Sequence, residues 1–240
     1  MKKLGMLFLA AIMFTLVGCS HSLEIKNLSD YQSSSFNKLS KDLSIGIMSA
    51  NSKNDGQLLV TGTAQALSGY VGHVLYPYSA GNSETVDIIS KIAVRSDHKG
   101  SGYNFFINFP GFLVWAPAWN GYIYETAYNV DVNLIKADDD STIDSFSIPI
   151  NLDIRHSAID RTWTEISWFE VGAIALIGGF VFMSYDNDVT PLVDAAIQKP
   201  IGDFIAQEMA NRLRNSKKYK ELVQSKTQKF SSADMLLNYH

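Results

Sequence analysis

The most regular alternation of apolar and polar positions lies between Tyr122 and Ile154. Nearly every second residue is apolar or aromatic up to Leu134, the pattern stops at the acidic stretch 138–141, and it resumes at Phe146. A period of two is typical of strands with one buried face, and a short polar interruption is typical of a hairpin turn. The pattern therefore predicts a long antiparallel hairpin. The positions on its apolar face are Tyr122, Tyr124, Thr126, Tyr128, Val130, Val132, Leu134, Phe146, Ile148, Ile150, Leu152 and Ile154.

Two further strands and one helix are predicted ahead of this hairpin. Residues 44–50 form a short apolar run, and residues 85–95 alternate with a period of two. Between them, Asn54 followed by Gln57 favours a helix start, and Pro77 would end the helix. Three glycines weaken this helix. Its apolar positions are Leu59, Ala66, Leu67, Tyr70, Val71 and Val74.

A second helix is predicted after the hairpin, with Thr190 as its cap and Pro191 in its first turn. One apolar stripe continues through Pro200, which favours a single kinked helix. The stripe contains Leu192, Val193, Ala196, Ile197, Ile201, Phe204, Ile205, Met209 and Leu213. Beyond it, residues 216–240 are rich in lysine and are expected to form a basic, weakly ordered tail.

These elements predict one α/β (α+β) domain over residues 44–215, with a mixed sheet, a long antiparallel hairpin and an amphipathic C-terminal helix packed on it. Their order resembles the α/β fold of the TolB amino-terminal domain, shared by the curli secretion lipoprotein and by lipoprotein activators of peptidoglycan synthases. The strand at 86–94 and the hairpin segment 130–135 carry the resemblance. It implies a role in binding a partner protein.

An uncharged aromatic insertion at residues 100–124 interrupts the pattern. Its prolines and glycines exclude a regular membrane-spanning helix. The insertion either folds over the core or forms a surface for a membrane, a partner or a sugar ring, since Trp and Tyr favour such boundaries. The candidate contact residues are Phe112, Trp115, Trp119 and Tyr122. A second uncharged run, 171–183, is shorter than the about 20 residues a spanning helix needs, which predicts a buried or membrane-dipping element.

The beginning of the chain has the pattern of an export signal. Lys2 and Lys3 precede an apolar run that ends in Leu16, Val17, Gly18 and Cys19. These four residues resemble the lipobox of bacterial lipoprotein precursors. The resemblance implies removal of residues 1–18 and acylation of Cys19 by several chains such as palmitate, which together hold a protein stably on a membrane. The alternative is a plain signal or an amino-terminal membrane helix.

The lipobox also predicts where the protein resides. In lipoproteins of this kind an Asp after the cysteine causes retention in the inner membrane, whereas this chain has Ser20. We therefore expect the outer membrane, with the domain on the periplasmic face and residues 19–43 as a lipidated tether carrying at most one short docked strand near 23–28. Loss of Lys2 and Lys3 lowers the formal net charge from −4 to −6, which argues against nucleic acid as a partner.

Motifs of catalysis are weak in this sequence. Cys19 is the single cysteine, so its acylation excludes disulfides and thiolate sites. Asp153, His156 and Asp160 could form a catalytic or metal site, but a polar strand end explains them better. The acidic stretch 138–141 lacks the spacing of a calcium loop and favours a solvated turn. No catalytic residue, metal or cofactor is expected.

The sequence thus predicts an outer-membrane lipoprotein that acts as a non-catalytic binding or envelope-assembly factor. Its expected partners are the membrane, an envelope protein and further copies of itself. A subunit of an oligomeric secretion pore, with membrane-inserting apolar segments, is the alternative. An envelope hydrolase is a third and weaker interpretation.

Overall fold

The computed structural model describes residues 22–32, 38–50, 56–79, 81, 84–104, 121–157 and 183–237. These residues form a mixed α/β fold, as predicted. Six strands make one mixed sheet in the order β1-β6-β5-β4-β2-β3. Strand β2 runs parallel to both of its neighbours, β3 and β4, whereas β1 runs antiparallel to β6. The strands are β1 Ser22–Ile25, β2 Ser44–Ser49, β3 His73–Leu75, β4 Ile88–Gly100, β5 Tyr122–Lys136 and β6 Thr142–Ser157.

Three α-helices accompany the sheet within the described ranges: α1 Gln57–Leu67, α2 Thr190–Asn215 and α3 Lys217–Leu237, whose side chains are described as far as Gln228. Short 3-10 helices lie at Leu28–Tyr31 and Asn187–Val189. Contacts divide the chain into two compact units. Unit 1 contains Met1–Asn27, Asp97–Ala127 and Asn151–Val193, and unit 2 contains Leu28–Ser96, Tyr128–Ile150 and Asp194–His240.

The predicted hairpin is confirmed as β5 and β6, which are neighbours in the sheet. Its turn carries Asp140 at a φ of 55°, a conformation that Asp tolerates better than most residues. The Lys136 amine lies 2.9 Å from the Asp138 carboxylate and 3.3 Å from that of Asp139. Hydrogen bonds from Ser141 lower the pKa of Asp139 to about 2. The acidic residues of this turn therefore interact with residues of the same hairpin, Lys136 and Ser141.

The first helix is shorter than predicted. It ends at Leu67 rather than near Pro77, and the chain then turns and forms β3. Val74, which was predicted to lie on the helix face, instead pairs with Ile45 of β2. Glycine costs about 1 kcal/mol in a helix interior, so this glycine-rich stretch gains more from pairing with the sheet than from extending the helix. Strand β4 also differs from its prediction, since it continues to Gly100 rather than ending at 95.

Helix α2 provides much of the core of unit 2, and the prediction of one helix through Pro200 is confirmed. Its buried apolar residues recur about every fourth position from Asp194 onward: Ile197, Ile201, Ile205, Met209 and Leu213. Leu192 and Ala196 are exposed, so the predicted stripe is wrong at these two positions. Phe204 is half-buried and packs edge-on against Tyr31, with 5.3 Å between ring centroids.

The chain crosses itself closely where α1 meets α2. A Cβ atom on Gly62 would lie 2.0 Å from the carbonyl oxygen of Gln198, and one on Gly202 would lie 2.5 Å from the carbonyl carbon of Gly62. Such distances are far inside ordinary contact, so the two backbones approach each other with no room for a side chain. Gly62, which weakens α1 as an isolated helix, and Gly202 of α2 together allow this packing.

The expected weakly ordered tail is wrong for the residues that form α3. Tyr219 and Leu222 are buried, and the Tyr219 hydroxyl accepts a hydrogen bond of 3.2 Å from the Ser40 backbone N–H. The Lys226 amine donates to the Asp87 carboxylate at 2.6 Å and to the Asp42 carbonyl at 2.9 Å. Lys226, which the sequence predicts to be solvated, therefore joins α3 to other parts of unit 2.

The predicted tether is also largely wrong where it is described. Strand β1 confirms the short docked strand, but Leu39 and Leu43 beyond it are buried, with exposed fractions of 7% and 1%. The Leu39 N–H donates to the Tyr70 carbonyl at 2.8 Å. The described parts of residues 22–43 therefore belong to the folded protein.

Asp87 is expected to make the stability of unit 2 depend on pH. Burial raises the pKa of its carboxyl, but hydrogen bonds from Lys226 and Ser44 outweigh this, and the net pKa lies below its ordinary value. The stabilisation is thus fully present above the unfolded-state pKa, about 3.9, and is lost as the pH falls through the lower folded-state pKa. We expect Asp87→Asn to cost about 1.5 to 3 kcal/mol at neutral pH.

Urea unfolding of both proteins at a series of pH values would measure this effect. The difference between wild type and Asp87→Asn should shrink as the pH falls below about 4, because the wild-type carboxylate then becomes protonated as well. Asp30→Asn is the matched control, since Asp30 is exposed. A pH-independent difference would show that the charge of Asp87 does not contribute.

Candidate functional site

Several described parts of unit 1 meet where β1 and β5 start and β6 ends. In β1, Ser22 pairs with Ser157, the last residue of β6. Gly121, which precedes β5, has a φ of 73°, and a Cβ atom there would lie 2.9 Å from the Ser157 hydroxyl oxygen. Glycine adopts this left-handed conformation without strain, and its lack of a side chain leaves room for Ser157. The starts of β1 and β5 and the end of β6 thus lie together.

Asn104 fixes the place where the aromatic insertion leaves the described part of the chain. Its side chain is fully buried and forms two hydrogen bonds of 2.9 Å with the backbone of Ile123, one to the carbonyl oxygen and one from the N–H. The Ser101 N–H also donates to the Ile123 carbonyl, at 3.2 Å. Because an amide side chain offers the same donor and acceptor as a peptide group, Asn104 pairs with β5 as a short strand would.

Met183, the first described residue after Ser157, lies against the end of β4. A Cβ atom on Gly100 would lie 1.7 Å from the Met183 carbonyl oxygen, so the two backbones are in direct contact at the end of β4. Tyr185 then stacks on His98, with centroids 4.5 Å apart, and packs edge-on against Tyr124 at 5.2 Å. The His98 ring also lies 3.0 Å from the Thr126 hydroxyl. Aromatic packing therefore holds Tyr185 against β4 and β5.

The predicted contact residues have different outcomes. Tyr122 is fully buried in β5, so its prediction as a contact residue is wrong. Its burial agrees instead with the alternation of apolar and polar positions, which places it on the apolar face of the hairpin. Phe112, Trp115 and Trp119 lie outside the described residues. The same is true of the uncharged run 171–183 except for its last residue, Met183. Tyr103, which was not among the predicted contacts, is 52% exposed at this end of unit 1.

The candidate catalytic residues do not come together. Asp153 is exposed and His156 is buried on β6, and an odd separation along a strand puts their side chains on opposite faces. Asp160 lies outside the described residues. The positions of Asp153 and His156 thus support the interpretation of a polar strand end.

A small cavity of about 170 Å³ lies in unit 1 beside these strands. Ligand pockets usually measure about 300 to 1,000 Å³, so this cavity is small for an organic ligand. Its acidic and basic side chains do not form a metal site, because no group of three potential ligands converges anywhere in the described ranges. The residues that line it are Asp97, Lys99, Glu125, Thr126, Ala127, Asn151, Leu152 and Asp153.

Among the described residues, no helix is both long enough and apolar enough to cross a membrane.

Neither a protein-family model nor a curated protein matches this sequence. Solved structures with partial similarity include a PelC dodecamer from Paraburkholderia phytofirmans, at 12% identity and a TM-score of 0.29, covering 70% of this chain and 100% of that one. A hemagglutinin homologue from Helicobacter pylori has 9% identity and a TM-score of 0.31, covering 69% and 96%. Rare lipoprotein B from Shewanella oneidensis has 11% identity and a TM-score of 0.26, covering 65% and 98%. Such low scores transfer neither fold nor function, and the resemblance to the TolB amino-terminal domain stays a prediction.

Proposed function

We propose that this protein is an outer-membrane lipoprotein, held by acyl chains on Cys19, whose domain acts on the periplasmic face as a non-catalytic binding or assembly factor. The observation that carries the proposal is the sequence Leu16, Val17, Gly18 and Cys19 after a charged and then apolar start. Strand β1 starts at Ser22, three positions after Cys19, so a folded element lies close in sequence to the proposed anchor.

A binding role suits the chemistry of the described residues better than a hydrolytic one. A hydrolase needs a nucleophile, a base and an orienting group within hydrogen-bond reach of one another. Asp153 and His156, the described members of the predicted cluster, face opposite sides of β6. Phe112, Trp115 and Trp119 remain the proposed contact residues, because uncharged aromatic side chains dominate the energetics of interfaces.

The alternative is a subunit of an oligomeric secretion pore, which the two uncharged segments 100–124 and 171–183 favour. Crosslinking in intact cells distinguishes the two functions. A binding factor should be recovered as one copy joined to a different envelope protein. A pore subunit should be recovered as a ladder of its own multiples, with rings that survive detergent extraction.

Replacement of Cys19 by serine tests the proposed anchor. We expect Cys19→Ser to abolish incorporation of labelled palmitate and to release the domain from the membrane fraction, because serine has no thiol to acylate. Ser20→Asp is the matched control, since it should keep the label but move the protein from the outer to the inner membrane in a density gradient. Palmitate labelling of Cys19→Ser would contradict the proposal.

Trp115→Ala and Trp119→Ala test the proposed contact residues. Each is expected to weaken binding to vesicles or to the crosslinked partner by about 2 kcal/mol or more, because aromatic anchors account for much of the binding energy of an interface. The melting temperature should change little. Leu192→Ala is the control, since Leu192 is also apolar but is 45% exposed on α2. Unchanged binding together with a large loss of stability would show that the two tryptophans belong to the core.

A further inference from the structure

Five residues lie together at one end of unit 1. These residues are linked by direct contacts, because Ser22 pairs with Ser157, Gly121 adjoins Ser157, Asn104 bonds to β5, and Met183 lies on Gly100. We call them the stem end of unit 1. They are Ser22, Asn104, Gly121, Ser157 and Met183.

The proposed anchor is very close to this stem end. Ser22 is three positions after Cys19, and an extended chain spans at most about 3.6 Å per residue, so the two Cα atoms are within roughly 11 Å of each other. The polar headgroup layer of a bilayer is itself about 5 to 7 Å thick on each side. Acyl chains on Cys19 would therefore hold Ser22, and with it the stem end, close to the membrane surface.

The chemistry of the stem end changes along the strands in the way a membrane surface requires. Residues 100–104 and 121–124 contain no charged side chain, and Tyr103 is 52% exposed there. Charged residues begin further along each strand, at Lys99 of β4, Glu125 of β5, and the paired positions Glu24 and Arg155 of β1 and β6. Tyrosine is enriched at the level of lipid headgroups, where its ring is partly buried and its hydroxyl is hydrated.

We propose that the stem end of unit 1 rests on the headgroup region of the bilayer that holds Cys19, with Tyr103 in contact with lipid and with β1, β4, β5 and β6 directed away from the membrane. The sequence that joins two residues of the stem end fits this placement. Residues 105–120, which join Asn104 to Gly121, are uncharged and contain Phe112, Trp115 and Trp119. The inference rests on the proposed function, because the acyl chains on Cys19 supply the distance constraint.

A depth measurement in vesicles tests the orientation. Full-length Tyr103→Cys and Ser22→Cys, each labelled with a thiol-reactive fluorophore, would be reconstituted in phosphatidylethanolamine and phosphatidylglycerol vesicles containing lipids brominated near the headgroup. Both labels should lose most of their fluorescence to the brominated lipid. Asp97→Cys is the matched control in the same unit, since its side chain is 67% exposed and belongs to the charged part of β4; its label should keep its fluorescence.

Mass spectrometry of the same samples separates the two ways in which the idea can fail. Acylated protein whose labels at Tyr103 and Ser22 are quenched no more than the label at Asp97 would overturn the orientation and leave the proposed function standing. Labels shielded from aqueous iodide but not quenched by brominated lipid would place a protein at the stem end, which also overturns it. An unacylated Cys19 would overturn the proposed function and this inference with it.

Discussion

Gly202→Ala is expected to destabilise unit 2 by about 2 kcal/mol, and Gly62→Ala by a similar amount. Alanine is about 1 kcal/mol better than glycine in a helix interior, so an isolated helix would gain from either change. That gain is smaller than the cost of overpacking, because the added Cβ would lie 2.5 Å from the Gly62 carbonyl carbon and 2.8 Å from the Thr63 nitrogen. Backbone atoms cannot rotate away as a side chain can, so α1 and α2 must separate.

Urea unfolding of the variants measures this cost. Gly81→Ala is the matched control, because a Cβ atom on Gly81 meets nothing within 4 Å and should leave stability almost unchanged. Gly202→Val should cost more than Gly202→Ala, since two further methyl groups enter the same contact. If Gly202→Ala raised the midpoint of unfolding instead, helix propensity would dominate and the close approach of α1 and α2 would be wrong.

The hairpin could be predicted from the sequence because its information is local. Alternation over β5 specifies which face is buried, and the polar stretch after Lys136 specifies the turn. The same alternation already placed Tyr122 on the buried face. Tyr122 is buried and not a contact residue, because its place in the alternation of β5 determines its environment, whereas the uncharged composition of residues 100–124 does not.

Contacts between distant parts of the chain could not be predicted in this way. Lys226 and Asp87 are far apart in sequence, and a lysine in a basic helix is usually solvated, so composition favoured a weakly ordered tail. The pairing of β1 with β6 is equally distant, and β1 has four residues, too few to show a period. In the sequence alone, Gly62 and Gly202 only lower helix propensity. Their role becomes clear from the neighbouring backbone, which leaves no room for a side chain.

The candidate site was partly predictable for the same reasons. The lipobox is a local pattern, so the anchor and the aromatic insertion can be recognised from the sequence. The arrangement of Ser22, Asn104 and Ser157 at one end of unit 1 cannot be recognised in this way, because it depends on the pairing of Ser22 with Ser157 and on the hydrogen bonds between Asn104 and β5. One feature of the sequence points to Asn104: it is a small polar residue directly before a long apolar stretch. An amide side chain in such a position can hydrogen-bond to a neighbouring strand.

Ile205→Ala should destabilise unit 2 by about 2 to 5 kcal/mol, the usual cost of truncating a fully buried aliphatic side chain. Ile205 has no exposed surface and lies in the middle of the buried series on α2, so its removal leaves a cavity that neighbouring helices cannot easily fill. Phe204→Ala should cost less, because Phe204 is half-buried and packs on Tyr31 at its edge. Glu208→Ala, on the same helix, should stay within about 0.5 kcal/mol of wild type. Chemical unfolding followed by circular dichroism would rank the three variants, and equal stability of all three would contradict the burial of this face of α2.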